Sequence, residues 1–164
     1  MFSSELLAKA EALHSACRVS GLKIGVAESC TGGLLAGLLT ELAGSSDAFD
    51  RGFVTYSNDA KHDLLGVPRD MLADYGAVSE PVARAMSEGV LNVAPVDLAA
   101  SVTGVAGPGG GSAMKPVGLV HFGAARRGGV TLHEVQRFGD LGRTEIRLKA
   151  VDAAMDMLLR LATA

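Results

Sequence analysis

The chain has 164 residues, a length that suits one domain with its own core, and 48% of them are hydrophobic, which excludes general disorder. A formal net charge of −3 without a dense basic run gives no sign of a nucleic-acid surface, and no apolar stretch is long enough to span a membrane. Two cysteines and four scattered histidines supply neither a disulfide framework nor zinc spacing. The chain is therefore expected to be cytoplasmic, with no metal and no cofactor; Met1 to Glu5 also lacks the basic-then-apolar pattern of a signal peptide. With 21 glycines and only 4% aromatic residues, it fits backbone-lined binding loops better than aromatic stacking of bases.

Ser3 or Ser4 caps a first helix, in which Leu6, Leu7, Ala10, Leu13, Ala16 and Cys17 recur at helical spacing and which Gly21 closes. Lys23 to Ala27 reads as a strand. It runs into Glu28-Ser29-Cys30-Thr31-Gly32-Gly33 and then into a helix reaching about Ala43, broken by Gly44-Ser45-Ser46. Arg51 to Tyr56 reads as the second strand. Ser57-Asn58 opens a short helix carrying Lys61, and Pro68 opens another that closes at Tyr75-Gly76. Ser79, as N-cap, and Pro81 start a helix running to about Leu91. Asp97 to Thr103 is a third, central strand that delivers the chain into the loop Gly104 to Ser112. Val117 to Ala125 and Val130 to Phe138 form a hairpin turning at Arg127-Gly128-Gly129. Arg143 to about Leu161 is the last helix. This order predicts a single α/β domain over residues 1–164, a mixed β-sheet flanked by helices, with the early crossover strands parallel and the late hairpin antiparallel.

In an open α/β sheet, the carboxyl ends of parallel strands gather at one edge, where ligands bind. If the first three strands are parallel, that edge collects Ser29, Tyr56 with Lys61, and Thr103 with the glycine loop. Ser29 at a strand-to-helix turn is a candidate nucleophile or anion ligand; equally, Ser29 and Thr31 are candidate caps of the following helix. A desolvated Lys61 beside a serine loses basicity and becomes a base for it, whereas a lysine beside Asp59, His62 and Asp63 also fits a solvated charged patch. The loop containing Gly104, Gly107 and Gly109 is a candidate anion cradle of N–H groups or a flexible loop. It is not a Walker loop, since no Gly-Lys-Ser/Thr follows. Arg143 and Arg147 stand one helical turn apart, suited to gripping a phosphate or carboxylate, or to a solvated face. Cys30 is a rival nucleophile, but strand alternation points it away from Ser29, toward packing. The four histidines show no pairing. Ser20-Gly21-Leu22-Lys23 matches a Ser-x-x-Lys spacing only by chance, because its companion motifs are missing.

Ala-Glu-Ser-Cys-Thr-Gly-Gly at 27–33 resembles the signature of the competence/damage-inducible CinA C-terminal domain family. Gly-Ser-Ser at 44–46, Val-Thr-Tyr-Ser-Asn-Asp-Ala-Lys at 54–61, Leu-Leu-Gly-Val at 64–67 and Gly-Ala-Val-Ser-Glu at 76–80 match in the same order. So do Thr-Gly-Val-Ala-Gly-Pro-Gly-Gly at 103–110 and Lys-Pro-Val-Gly at 115–118. The resemblance covers nearly the whole chain and is to the stand-alone form of the domain.

The resemblance implies a nicotinamide-nucleotide amidohydrolase, which converts nicotinamide mononucleotide and water to nicotinate mononucleotide and ammonia in pyridine-nucleotide recycling. It implies Ser29 as nucleophile, Lys61 as its base and Tyr56 as a proton relay or positioner. Cys30, Thr31, Gly32, Thr103, Gly104, Gly107, Gly109, Arg143 and Arg147 then fall at the substrate. The family's Gly-Asp-Arg segment is interrupted here, because Leu141-Gly142 separates Asp140 from Arg143, which leaves Asp140 without an assigned role. The implied partner is a small molecule, with no nucleic acid or membrane, and self-association as a homodimer is expected. The alternative is a non-catalytic nucleotide- or phosphate-binding module linked to competence or the DNA-damage response.

Overall fold

A computed structural model describes residues 1–164. The elements run α1 (Ser4–Ser20), β1 (Ile24–Glu28), α2 (Leu34–Thr40), β2 (Phe49–Val54), α3 (Asn58–Leu65), α4 (Arg69–Tyr75) and α5 (Glu80–Val93). Then follow β3 (Leu98–Gly104), β4 (Leu119–Arg126), β5 (Thr131–Arg137) and α6 (Arg143–Ala162). One five-stranded sheet has the order β2-β1-β3-β4-β5. The pairs β1–β2 and β1–β3 are parallel, while β3–β4 and β4–β5 are antiparallel. The expected mixed sheet is thus present, and the carboxyl ends of β1, β2 and β3 share one edge. No helix is long and apolar enough to cross a membrane.

Strand alternation sorts the side chains onto two faces. Ile24 and Val26 of β1, Leu98, Ala100 and Val102 of β3, and Val120, Phe122 and Ala124 of β4 join one buried cluster with α1, α2 and α6. Ala27 and Ala99 face a smaller cluster formed by Leu65, Leu72, Val82, Met86 and Val90 from α3, α4 and α5. The middle strands are covered on both sides, which is why β1 and β3 read as near-continuous apolar runs.

Several boundaries differ from the sequence reading, each for a local reason. Strand β2 begins at Phe49 and ends at Val54, because β1 pairs along Phe49 to Val54 and the chain then departs toward α3. Helix α2 stops at Thr40, whose hydroxyl bonds back to the Ala36 and Gly37 carbonyls; a 3-10 turn at Ser45–Asp47 fills the following break. Ser79 does not cap α5 with its side chain. Its hydroxyl donates instead to the Gly76 carbonyl at 2.8 Å and ties down the preceding loop. Two histidines do pair: His121 Nδ1 and His133 Nε2 stand 2.9 Å apart. They are diagonal neighbours on one face of β4 and β5, a relation that only the strand register reveals.

Helix α5 lies close against the sheet at Gly123. A Cβ there would collide with the Ala83 carbonyl oxygen of α5 and with the Ser101 and Ser87 hydroxyls. Ser101 Oγ also accepts the Gly123 N–H while donating to the Ala83 carbonyl, so a small polar seam joins helix to sheet. Gly123→Ala is expected to force α5 outward and cost about 2–3 kcal/mol, measured as a lower midpoint in urea unfolding.

Candidate active site

The parity of β1 continues past its end and divides three consecutive residues. Glu28 turns with Ile24 and Val26 toward α2, whereas Ser29 turns the other way, toward α3. The Glu28 side chain is buried, and its carboxylate accepts N–H bonds from Gly33 (3.0 Å), Leu35 (3.0 Å) and Ala36 (2.8 Å). Neither Ser29 nor Thr31 caps α2. Glu28 takes the positive end of the helix and satisfies its orphan donors. The turn itself needs positive φ at Gly32 (56°) and Gly33 (102°), where a side chain would be strained.

Ser29, thus released from capping, meets Lys61. The lysine lies in the first half of α3, whose N-cap Ser57 accepts the Ala60 N–H at 3.0 Å. Lys61 is 1% exposed. Its Nζ is 3.1 Å from Ser29 Oγ and 2.7 Å from the Thr55 carbonyl oxygen. The acids that suggested a surface patch are elsewhere: Asp59 and Asp63 both pair with Arg69. Burial, with the nearby Cys30 opposing it, lowers the Lys61 ammonium from 10.5 to about 8. In its neutral form the amine donates to the Thr55 carbonyl and offers its lone pair to the Ser29 hydroxyl proton.

A cavity of about 280 Å³ opens over this pair. Of the expected residues, Ser29, Cys30, Tyr56, Lys61, Thr103, Gly104, Gly107, Gly109 and Arg143 line it. Thr31, Gly32 and Arg147 do not. Thr31 is fully buried, and the Gly32 N–H is spent on the Ser29 carbonyl at 3.1 Å. Arg147 donates from Nε to the Cys30 carbonyl (3.0 Å) and from Nη2 to the Thr31 carbonyl (2.9 Å). The two arginines therefore part company. Arg143 reaches the mouth, donating from Nη1 to the Gly107 carbonyl (2.7 Å) and from Nη2 to the Tyr56 hydroxyl (3.0 Å). Tyr56 makes no hydrogen bond to Ser29 or Lys61; it is 61% exposed at the rim. Asp140 is exposed and has no ion pair.

Two lining segments carry backbone N–H groups without an acceptor: Cys30 after β1, and Ala106, Gly107, Gly109 and Gly110 of the glycine loop. The Thr31 N–H also has none, but Thr31 is buried away from the cavity lining. Ala77 and Val78 also line the cavity, although the sequence motif at 76–80 suggested no role for them. Thr103 holds this segment by donating to the Ala77 carbonyl at 2.9 Å. Cys30 is 6% exposed and packs in the larger core; burial pushes its thiol up to about 11, so it is a poor nucleophile at neutral pH.

A folded-state value of about 8 against 10.5 in the unfolded chain means that the unfolded state holds more protons between those pH values. Stability is then penalised below pH 8, and the penalty is lifted as pH rises to 10.5. Comparing urea unfolding at pH 7 and 10.5, the wild type is expected to gain roughly 3 kcal/mol relative to Lys61→Met. Equal pH dependence in both proteins would show that the amine is not desolvated in the fold.

Relatives share this arrangement of chain. A protein of Enterobacter agglomerans named nicotinamide-nucleotide amidohydrolase PncC is 53% identical over 149 residues, covering 90% of each chain. The PncC protein of Escherichia coli K12 is 46% identical over 160 residues, covering 96% of this chain and 95% of that one. A putative competence-damage inducible protein of Caldicellulosiruptor bescii is 51% identical over 137 residues, but this chain spans only 33% of its length. The crystal structure of competence/damage inducible protein CihA from Agrobacterium tumefaciens superposes with a TM-score of 0.97 at 52% identity, covering 98% of both chains. A CinA superfamily protein from Klebsiella pneumoniae superposes with a TM-score of 0.91 at 34% identity, covering 96% of this chain and 98% of that one. The CinA C-terminal domain profile matches residues 7–162, and the chain belongs to that family.

Proposed function

We propose that this chain is a nicotinamide-nucleotide amidohydrolase that uses Ser29 as nucleophile and Lys61 as base. The observation that carries the reading is the buried Lys61 amine 3.1 Å from Ser29 Oγ, without a carboxylate partner. The names and identities of the two PncC relatives supply the substrate class.

In this reading neutral Lys61 takes the Ser29 hydroxyl proton as Oγ bonds to the carboxamide carbon of nicotinamide mononucleotide. The oxyanion is held by the free N–H group of Cys30. Of the residues expected beside it, Thr31 is buried off the cavity and the Gly32 N–H is taken by the Ser29 carbonyl. The carbon–nitrogen bond then breaks, and the Lys61 proton leaves with the amide nitrogen as ammonia. Water attacks the acyl-Ser29 ester and gives one proton through Lys61 back to Ser29 Oγ; the acid so formed loses its other proton to solvent and leaves as the carboxylate. The positively charged pyridinium ring withdraws electrons from the reacting carbonyl, so N–H donors suffice and no metal is required. The phosphate lies on the glycine-loop N–H groups beside Arg143. Tyr56 positions Arg143 at the mouth rather than relaying protons. The setting is cytoplasmic pyridine-nucleotide recycling.

Ammonia release from nicotinamide mononucleotide, measured with a metal chelator present, tests this. The wild type is expected to turn over, and Ser29→Ala and Lys61→Ala to lose about 1,000-fold or more in kcat while remaining folded. The wild-type rate is expected to rise with pH and level off above about 8, where the amine is neutral. Full activity in Ser29→Ala would refute the nucleophile. Nucleotide binding without ammonia release in the wild type would indicate a binding module instead.

A further inference from the structure

Arg147 lies on α6, 117 residues after Cys30 in sequence, yet two of its donors are spent on the turn that carries Ser29. The guanidinium lies close against that turn: a Cβ placed on Gly32 would be 3.2 Å from its Nη2 atom. On the other side, the Glu28 carboxylate draws in the N–H groups of Gly33, Leu35 and Ala36. The turn is therefore pulled by its carbonyls at one end and by its amides at the other.

Peptide planarity gives this clamp a consequence. In a trans peptide the C=O and N–H point in opposite directions. The Cys30 carbonyl and the Thr31 N–H belong to one peptide unit, so the bond from Arg147 Nε aims the Thr31 N–H away from α6. The Ser29 carbonyl and the Cys30 N–H belong to the preceding unit, which the Gly32 N–H fixes in the same way. The Thr31 carbonyl is held too, by Arg147 Nη2, and its unit carries the Gly32 N–H that closes on the Ser29 carbonyl; of the two N–H groups left without an acceptor, the Cys30 N–H is the one on the cavity lining.

We infer that Arg147 is a positioning residue that, through the Thr31–Gly32 unit and its bond to the Ser29 carbonyl, orients the Cys30 N–H as an oxyanion-hole donor for Ser29. The inference rests on Ser29 being the nucleophile proposed above. It also assigns Arg147 a role different from phosphate binding. The planar fork holds the two successive carbonyls from separate nitrogens in a fixed geometry, which the point charge of a lysine ammonium does not impose.

The test pairs turnover with labelling of Ser29 by a fluorophosphonate, whose phosphoryl oxygen occupies the same hole as fluoride leaves. Arg147→Met is expected to slow both labelling and kcat by about 100-fold, the effect of losing one hole donor. Arg147→Lys should fall between Met and wild type. In both variants KM and the pH midpoint of labelling should stay at the wild-type values, with thermal unfolding confirming the fold. Labelling and kcat within about threefold of wild type in a folded variant would overturn the inference. A raised KM with intact kcat would also overturn it and put Arg147 on the substrate. If Arg147→Met does not fold, Arg147→Lys is judged by the same outcomes. Wild-type labelling without turnover would refute only the substrate assignment, and the labelling series would still decide the role of Arg147. Absence of Ser29 labelling in the wild type would contradict the nucleophile and this inference together.

Discussion

The Lys61 side chain is a four-carbon stem ending in an amine that no carboxylate meets. An ammonium in that position loses its water and gains only the Thr55 carbonyl and the Ser29 hydroxyl in return. The fold lowers the cost by favouring the neutral form, which is the form able to take a proton. Much of the architecture follows from keeping this amine dry. Helix α3 carries it inward, Asp59 and Asp63 are turned away onto Arg69, and the short strand β2 ends early so that Thr55 can present its carbonyl.

The second constraint is the parity of β1. Because alternate residues face opposite sides, Glu28 and Ser29 serve different ends. Glu28 completes a helix that starts with no side-chain cap of its own, and Ser29 is left free for the cavity. A serine that capped α2 would have its oxygen occupied by backbone N–H groups. The buried carboxylate one residue earlier removes that competition. In the same way, Cys30 returns to the core, where burial keeps its thiol protonated beside the serine.

The sequence was informative where a local pattern decides the structure. Ser3 and Gly21 bracket α1, Ser57 and Gly66 bracket α3, and the apolar runs of β1 and β3 mark a doubly covered sheet. Convergence of Ser29, Lys61 and Thr103 followed from strand ends at one edge. What escaped were relations that depend on register or on side-chain direction. The spacing of Arg143 and Arg147 puts them on one face, but does not say that one reaches the cavity mouth and the other a pair of carbonyls. Glu28 carried a signal that could have been read: an acid immediately before a glycine-bearing turn and a helix start suits a capping partner. The His121–His133 pair had no such signal, because its two residues meet only in the diagonal register of β4 and β5.

The proposed chemistry depends most on the charge state of one buried amine. Direct titration of the Lys61 side chain by NMR, with the lysine ε-carbon labelled and Lys61→Met used for assignment, reads it without a substrate. The expected midpoint is near 8. A midpoint near 10.5 would mean that Lys61 is an ordinary ammonium at neutral pH and would contradict the proposal that it is the base for Ser29.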